Sequence, residues 1–212
     1  MDYVKIIDAL KNYIRSSSLP GFSCQLQMAP EDRFTTDYDP HPPDARSASV
    51  LILLHENSGK IRIPLIVRAD NGASHSGQIA LPGGAYQSPE LFPVETALRE
   101  ANEEINLSRE LVEIIGCITP LYIPVSNYTV TPVIACSSSE IILKPDDNEV
   151  REICWIQLAD LLRKPASGFF LSQSAGKHIK APYFSTKAGR VWGATAMILI
   201  ELVEILKNLS RD

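Results

Sequence analysis

The sequence has no apolar run long enough to cross a membrane. Its longest such stretch near the C-terminus, Ala194 to Ile200, falls far short of the roughly 18 residues a span needs. No secretory leader pattern opens the chain either. Charges interrupt residues 2–15, where Val4, Ile7, Leu10 and Ile14 keep helical spacing. The closing Ser210-Arg211-Asp212 is not a peroxisomal address. A cytoplasmic location is the expectation that remains. Cysteine is scarce: Cys24, Cys117, Cys136 and Cys154 lie far apart with no CxxC pair, which points to buried reduced thiols rather than zinc or disulfides. Basic residues are too few for a nucleic-acid footprint, since 20 Lys and Arg face 25 Asp and Glu, a net charge of −5. No internal repeat or low-complexity tract occurs.

What is present suits one enzyme-sized domain spanning 1–212. A chain of 212 residues, 45% hydrophobic and 21% charged, buries a substantial core. An amphipathic helix is expected over 2–17, and the Pro- and Asp-rich stretch 30–43 reads as a loop or arm. Residues 48–55 and 61–67 are β-rich with Asn57-Ser58-Gly59-Lys60 between them, a hairpin. A Gly- and Ser-rich segment, 71–77, leads to 79–81 and a turn at Pro82-Gly83-Gly84. Further strands are expected at 114–122, 128–135 and 153–156, and around Phe169 and 178–184. A short helix is read over 158–163 and a closing helix over 189–209. Strands without regular βα alternation imply an α+β fold, a mixed β-sheet flanked by helices in an α/β/α sandwich.

The helix expected over 94–105 carries the chemistry. At about 100° per residue, Val94, Ala97, Leu98, Ala101 and Ile105 share one arc that packs on a sheet. Glu100, Glu103 and Glu104 crowd the neighbouring arc. Like charges so placed cost a few tenths of a kcal/mol per pair, and a divalent metal would compensate. Mg²⁺ and Mn²⁺ are hard ions that prefer oxygen and bridge carboxylates to phosphates. The alternative is a plain solvated acidic face. Pro82-Gly83-Gly84 ahead of the helix and Arg99-Glu100-x-x-Glu103-Glu104-Ile105-x-Leu107 within it decide for the metal.

These residues resemble the Nudix box, G-x5-E-x7-R-E-U-x-E-E-x-G-U, where U is aliphatic. Gly84 stands fifteen positions before Arg99 rather than the usual fourteen, so the loop carries one extra residue, and Glu90 takes the place of the loop acid. Ala101 occupies the aliphatic position. Asn106 replaces the late glycine, and Asn is the next most tolerated type in a left-handed helix end. The longer box is similar to that of coenzyme A pyrophosphatases, as are Arg68-Ala69, His75-Ser76-Gly77-Gln78, the run to Gly84, Tyr128-Thr129-Val130-Thr131-Pro132-Val133 and Val191-Trp192-Gly193-Ala194-Thr195-Ala196. The second arginine of that subfamily's segment falls at Ala73, and Leu81 stands for its phenylalanine.

The resemblance implies the Nudix fold and a Mg²⁺- or Mn²⁺-dependent cleavage of the diphosphate of CoA or acyl-CoA. The partner is then a small-molecule, CoA-like nucleotide, with no nucleic acid and no membrane; a homodimer is left open. Another nucleoside diphosphate derivative, such as ADP-ribose, and a non-catalytic Nudix ligand-binding module are the competing readings. Glu100, Glu103 and Glu104 would hold metal. Glu103 is the first candidate for the water-activating base and Glu90 the second. Arg99, at the edge of the acidic arc, would orient a carboxylate, with a pair to Glu95 as its alternative. Arg68, His75, Ser76, Gln78, Gly83, Gly84 and Asn127 are the candidate substrate contacts. Asp146, Asp147 and Glu149 form an acidic run, read as a solvated loop from which some Nudix enzymes draw an extra acid.

Overall fold

The computed structural model describes residues 2–31, 39–70, 77–163, 166–172 and 177–210. The elements run α1 (Tyr3–Ser16), α2 (Gly21–Gln25), β1 (Arg46–Asn57), β2 (Lys60–Arg68), β3 (Ile79–Ala80), β4 (Gly83–Ala85), α3 (Val94–Ile105), β5 (Glu113–Cys117), β6 (Leu121–Ile123), β7 (Tyr128–Ser137), β8 (Val150–Gln157), α4 (Leu158–Leu161), β9 (Ala166–Ser172), β10 (Lys177–Ser185), β11 (Arg190–Val191) and α5 (Gly193–Leu209). Eight strands form one mixed sheet and β9, β10 and β11 a second, smaller one.

Strand β1 organises the larger sheet. It runs parallel to β7 along most of its length, and its side chains alternate between two cores. Ile52 and Leu54 join a cluster with Ile6, Ile7 and Leu10 of α1 and Met197 and Leu199 of α5. Leu51 and Leu53 join Ala97, Leu98, Ala101 and Ile105 of α3. All four β1 residues are fully buried, and each such side chain contributes roughly 1.5–3 kcal/mol by leaving water. The period of two along a strand thus sets α3 on one face and α1 and α5 on the other. The α+β sandwich expected from the pattern is what the chain forms.

The β1–β2 hairpin closes through Ser58 (φ 53°) and Gly59 (φ 76°), a two-residue turn whose positive φ values match the strand twist. Pairing between the two strands covers only the tip, Asn57↔Lys60 to His55↔Arg62. Beyond it the hairpin forks. β3 pairs with β2 and β4 pairs with β1, and Leu51 N–H donates to Pro82 O at 2.8 Å between them. The segment 79–85 is therefore wedged into the fork, and Gly83–Gly84, expected as a turn, is a short strand instead. Glycine is needed there because a Cβ on Gly83 would lie 2.3 Å from Ser49 O.

Two other expected elements are corrected. The strand read over 114–122 is divided into β5 and β6, because Pro120 offers no N–H to a ladder. The closing helix begins at Gly193 rather than 189, since Arg190 and Val191 pair with Ser185 and Phe184 as β11. Cys24, Cys136 and Cys154 are buried, Cys117, expected to be, is only partly so, and all four thiols are free. Of the arm over 30–43, residues 32–38 lie outside the described ones. Glu201 of α5 is fully buried yet well partnered. It accepts from Gly21 N–H at 3.0 Å, Gln25 Nε2 at 2.8 Å and Thr119 Oγ1 at 2.5 Å, tying α2 to the C-terminal helix. No helix among the described residues is long and apolar enough to cross a membrane.

Candidate active site

Helix α3 forms where its apolar period requires. Ala97, Leu98, Ala101 and Ile105 are buried against the sheet. Asn106 ends the helix in the left-handed conformation (φ 55°, ψ 37°), the role expected of it in the glycine's place. Its N–H donates to Asn102 O at 2.9 Å, and Leu107 N–H to Ala101 O at 3.2 Å. The acidic arc then lies directly over the wedged β4 strand.

Glu104 and Glu100, one turn apart, are set against two consecutive glycines. Gly83 N–H donates to Glu104 Oε2 at 2.9 Å. A Cβ on Gly84 would sit 2.5 Å from the Glu100 carboxylate, so only glycine leaves room for that side chain. Glu104 is 1% exposed. Burial pushes its carboxyl up to about 7, opposed by the Gly83 N–H and by Arg68, and reinforced by the charges of Glu100 and Glu149. Arg68 Nη1 is 3.7 Å from Glu104 Oε1, too far for a full hydrogen bond. Burial also raises Glu100 above the usual carboxylate range; Arg99 pulls the other way, and Glu103 and Glu149 add to the rise. Two desolvated carboxylates, Glu104 with only the more distant Arg68 beside it and Glu100 paired with Arg99 at 2.7 Å, form an oxygen donor set that suits a hard divalent ion.

Glu103 takes a different course. Its side chain is 57% exposed and meets Arg99 Nη1 at 2.8 Å, outside the Gly83–Gly84 pair. Among the described residues no three acidic, His or Cys side chains are gathered as a ready metal cluster. The three box glutamates thus share one face but differ in depth, with Glu104 buried, Glu100 half-buried and Glu103 exposed.

Arg99 is the hub of that division. It contacts Glu90 Oε1 through Nε, Glu100 Oε1 at 2.7 Å and Glu103 Oε2 at 2.8 Å through Nη1, and Ala85 O at 2.9 Å through Nη2. Burial alone would lower its pKa, but bonds to Glu90, Glu100 and Glu103 outweigh this and raise it. The alternative partner, Glu95, instead accepts Leu91 N–H at 2.7 Å, so the pair between Arg99 and Glu95 is replaced. Glu90 also receives Thr96 Oγ1 at 2.6 Å and Gln87 N–H at 3.2 Å. Burial opposes its ionisation, yet these donors and Arg99 together hold it below the usual carboxylate range. Both its oxygens are engaged. The extra residue of the loop is absorbed in this tight run between β4 and α3.

The remaining candidates fall in three places. Arg68 ends β2 at a bulge, where its N–H donates to Gln78 O at 3.0 Å; Gln78 thereby adjoins the Glu104 end of the site. His75 and Ser76, like Ala73, lie outside the described residues. Asn127 lies at the start of β7 with a left-handed backbone. Its side chain accepts from Tyr122 OH at 3.0 Å and donates to Asp44 O at 3.2 Å, so its polar atoms hold the loop together. Glu149, read as part of a solvated loop, is brought to the acids by tertiary bonds. Asp146 N–H donates to Glu104 O at 3.0 Å, and Ala69 N–H to Glu149 O at 2.8 Å. Its charge reaches both Glu100 and Glu104. No local signal reveals this, because the bonds that place it come from α3 and from the residue after β2.

Comparison with known proteins agrees with the box. The NUDIX domain family matches residues 45–171, which contain every element of the site. The uncharacterized Nudix hydrolase NudL of Photorhabdus laumondii is 27% identical over 184 residues, covering 85% of this chain and 92% of the relative. NudL of Enterobacter sp. (strain 638) is 34% identical over 159 residues, 74% of this chain and 81% of its own. Nudix hydrolase 3 of Caenorhabditis elegans is 30% identical, with 77% and 75% covered. Among solved structures, the Nudix hydrolase RenU of M. smegmatis has a TM-score of 0.46 at 27% identity, covering 55% of this chain and 74% of its own. The chain belongs to the Nudix hydrolase family.

Proposed function

We propose that this Nudix hydrolase cleaves the diphosphate bond of CoA or acyl-CoA, giving 3′,5′-ADP and (acyl-)4′-phosphopantetheine. The observation that carries the pyrophosphohydrolase part is buried Glu104 and half-buried Glu100 set over Gly83 and Gly84, with the Glu104 carboxyl pushed up to about 7. Glu100 and Glu104 would hold Mg²⁺ or Mn²⁺, joined by Glu103 from the same face. Bound there, such an ion screens the charge of a diphosphate and lowers the pKa of water. The CoA part rests on the long box, Arg68-Ala69 and His75-Ser76-Gly77-Gln78.

The reaction needs a water oxygen to bond to one phosphorus while the bridging P–O bond breaks and the leaving phosphate keeps the electron pair. Glu103, exposed and bonded to Arg99, takes the water's proton in this reading. Glu90 and Arg99 are positioning residues. Glu90 fixes the guanidinium, and the guanidinium sets the rotamers of Glu100 and Glu103. Arg68, beside Glu104, would pair with a substrate phosphate. Gly83 and Gly84 leave the space that Ser49 O and the Glu100 carboxylate take up, and their backbone would meet the substrate beside that carboxylate.

ADP-ribose is the second reading, favoured by Ala73, which removes an arginine from the CoA-like segment. CoA, acetyl-CoA and ADP-ribose incubated with Mg²⁺ or Mn²⁺, with products resolved chromatographically, decide between them. Release of 3′,5′-ADP from CoA supports the first. Cleavage of ADP-ribose with CoA untouched leaves only the Nudix hydrolase assignment.

A further inference from the structure

The loop between β4 and α3 presents apolar side chains beside the acidic face. Leu91 is 72% exposed, and Tyr86 and Phe92 are each 39% exposed. The Tyr86 and Phe92 rings meet edge to face, 5.7 Å between centroids with planes at 77°, an arrangement that holds both rings in place. Tyr86 continues the β4 ladder, its N–H donating to Ser47 O at 3.0 Å. Side chains two apart on a strand share a face. Gly84 faces Glu100, so Tyr86 lies on that same side, roughly 7 Å further along at about 3.3 Å per residue.

The site is therefore a strip. At one end Glu104 meets Gly83 and Arg68; Glu100 and Gly84 follow, then Arg99 on Ala85 O, and the Tyr86–Phe92 pair lies at the far end. The carboxylates of Glu90 and Glu95 hold the loop backbone there, through Gln87 N–H and Leu91 N–H. A second phosphate would be repelled at that end. An uncharged group attached to the diphosphate fits it.

We propose that Tyr86, Leu91 and Phe92 form the subsite for the uncharged organic group that the substrate carries beyond its diphosphate. This rests on the hydrolase reading above. In CoA that group is the pantetheine arm, and in ADP-ribose it is the nucleoside or terminal ribose. The 3′-phosphorylated end of CoA is excluded from this position by its charge.

The test is steady-state kinetics of wild type, Leu91→Ser, Tyr86→Ala and the conservative Tyr86→Phe on CoA and on ADP-ribose. Imidodiphosphate, which has no organic group, serves as a competitive inhibitor. Losing an apolar contact of this size corresponds to roughly tenfold in affinity. Leu91→Ser and Tyr86→Ala should raise KM about tenfold with kcat within threefold. Tyr86→Phe should restore KM, and the inhibition constant of imidodiphosphate should stay unchanged. A rise confined to CoA assigns the subsite to the pantetheine arm; a rise confined to ADP-ribose assigns it to the nucleoside side. KM values within twofold of wild type for both, in variants with unaltered Tm, overturn the subsite. If wild type hydrolyses neither compound, the hydrolase reading falls separately, and calorimetric titration of CoA judges the subsite: a tenfold weaker Kd for Leu91→Ser supports it, and equal Kd values refute it.

Discussion

Gly83 N–H donates to Glu104 Oε2 at 2.9 Å across 21 positions of sequence. That bond joins the wedged strand to the acidic helix, and the adjoining Gly84 gives Glu100 its space. The two glycines act in different ways, and their variants should fail differently.

Gly84→Ala should inactivate without unfolding. The added methyl falls 2.5 Å from the Glu100 carboxylate, which can swing away. A displacement of that order costs roughly a hundredfold in rate, with Tm nearly kept. Gly83→Ala meets backbone at 2.3 Å, Ser49 O, and should lower stability by about 1–3 kcal/mol. Turnover and thermal melting on both variants check this. A Gly84→Ala enzyme with normal turnover would contradict the placement of Glu100.

Arg99→Lys should behave as a severe change although charge is conserved. A lysine cannot contact Glu90, Glu100, Glu103 and Ala85 O together, as the guanidinium does. The expectation is a kcat loss of roughly ten- to a hundredfold with KM little altered, and Glu90→Gln should reproduce part of it. Loss in KM alone would make Arg99 a substrate contact instead.

The metal-free protein should lose stability as pH rises. The Glu104 carboxyl in the folded chain stands at about 7, above its ordinary 4.5, so folding favours its protonated form. The penalty is absent below about 4.5, grows between the two values and is complete above about 7. At about 1.36 kcal/mol per unit this is on the order of 3 kcal/mol. Urea unfolding of chelator-treated protein at pH 5 and pH 8 should show the loss, and Glu104→Gln should flatten it. An equal pH dependence in wild type and variant would refute the assignment to Glu104.

Glu149→Gln should weaken metal binding. Its charge acts on both Glu100 and Glu104, and removing such an outer carboxylate typically costs about tenfold in metal affinity. Mn²⁺ titration of activity reads this directly, and an unchanged half-saturating concentration would return Glu149 to the status of a solvated loop residue.

Local periodicity made part of this legible in the sequence. The apolar arc of α3, its carboxylate arc and the left-handed end at Asn106 follow from residues within a few positions of one another. The Ser58–Gly59 turn is equally local. What stayed hidden depends on distant chain. Pro82-Gly83-Gly84 looks like a turn until Ser49 and Val50 are laid beside it. Glu103 and Glu100 read alike in the sequence and both meet Arg99, but only Glu100 lies against Gly84. The bonds that join the Asn127 amide to Tyr122 and Asp44 are likewise beyond local reach.

The most direct test of the account is hydrolysis of CoA with Mg²⁺ by wild type and Glu104→Gln, with melting curves on both. Glutamine keeps the size of the side chain and an oxygen for the Gly83 N–H but removes the charge that a metal needs. The account predicts that release of 3′,5′-ADP collapses by a factor on the order of a thousand while Tm is kept or raised. Near-normal turnover in a well-folded Glu104→Gln protein would contradict it.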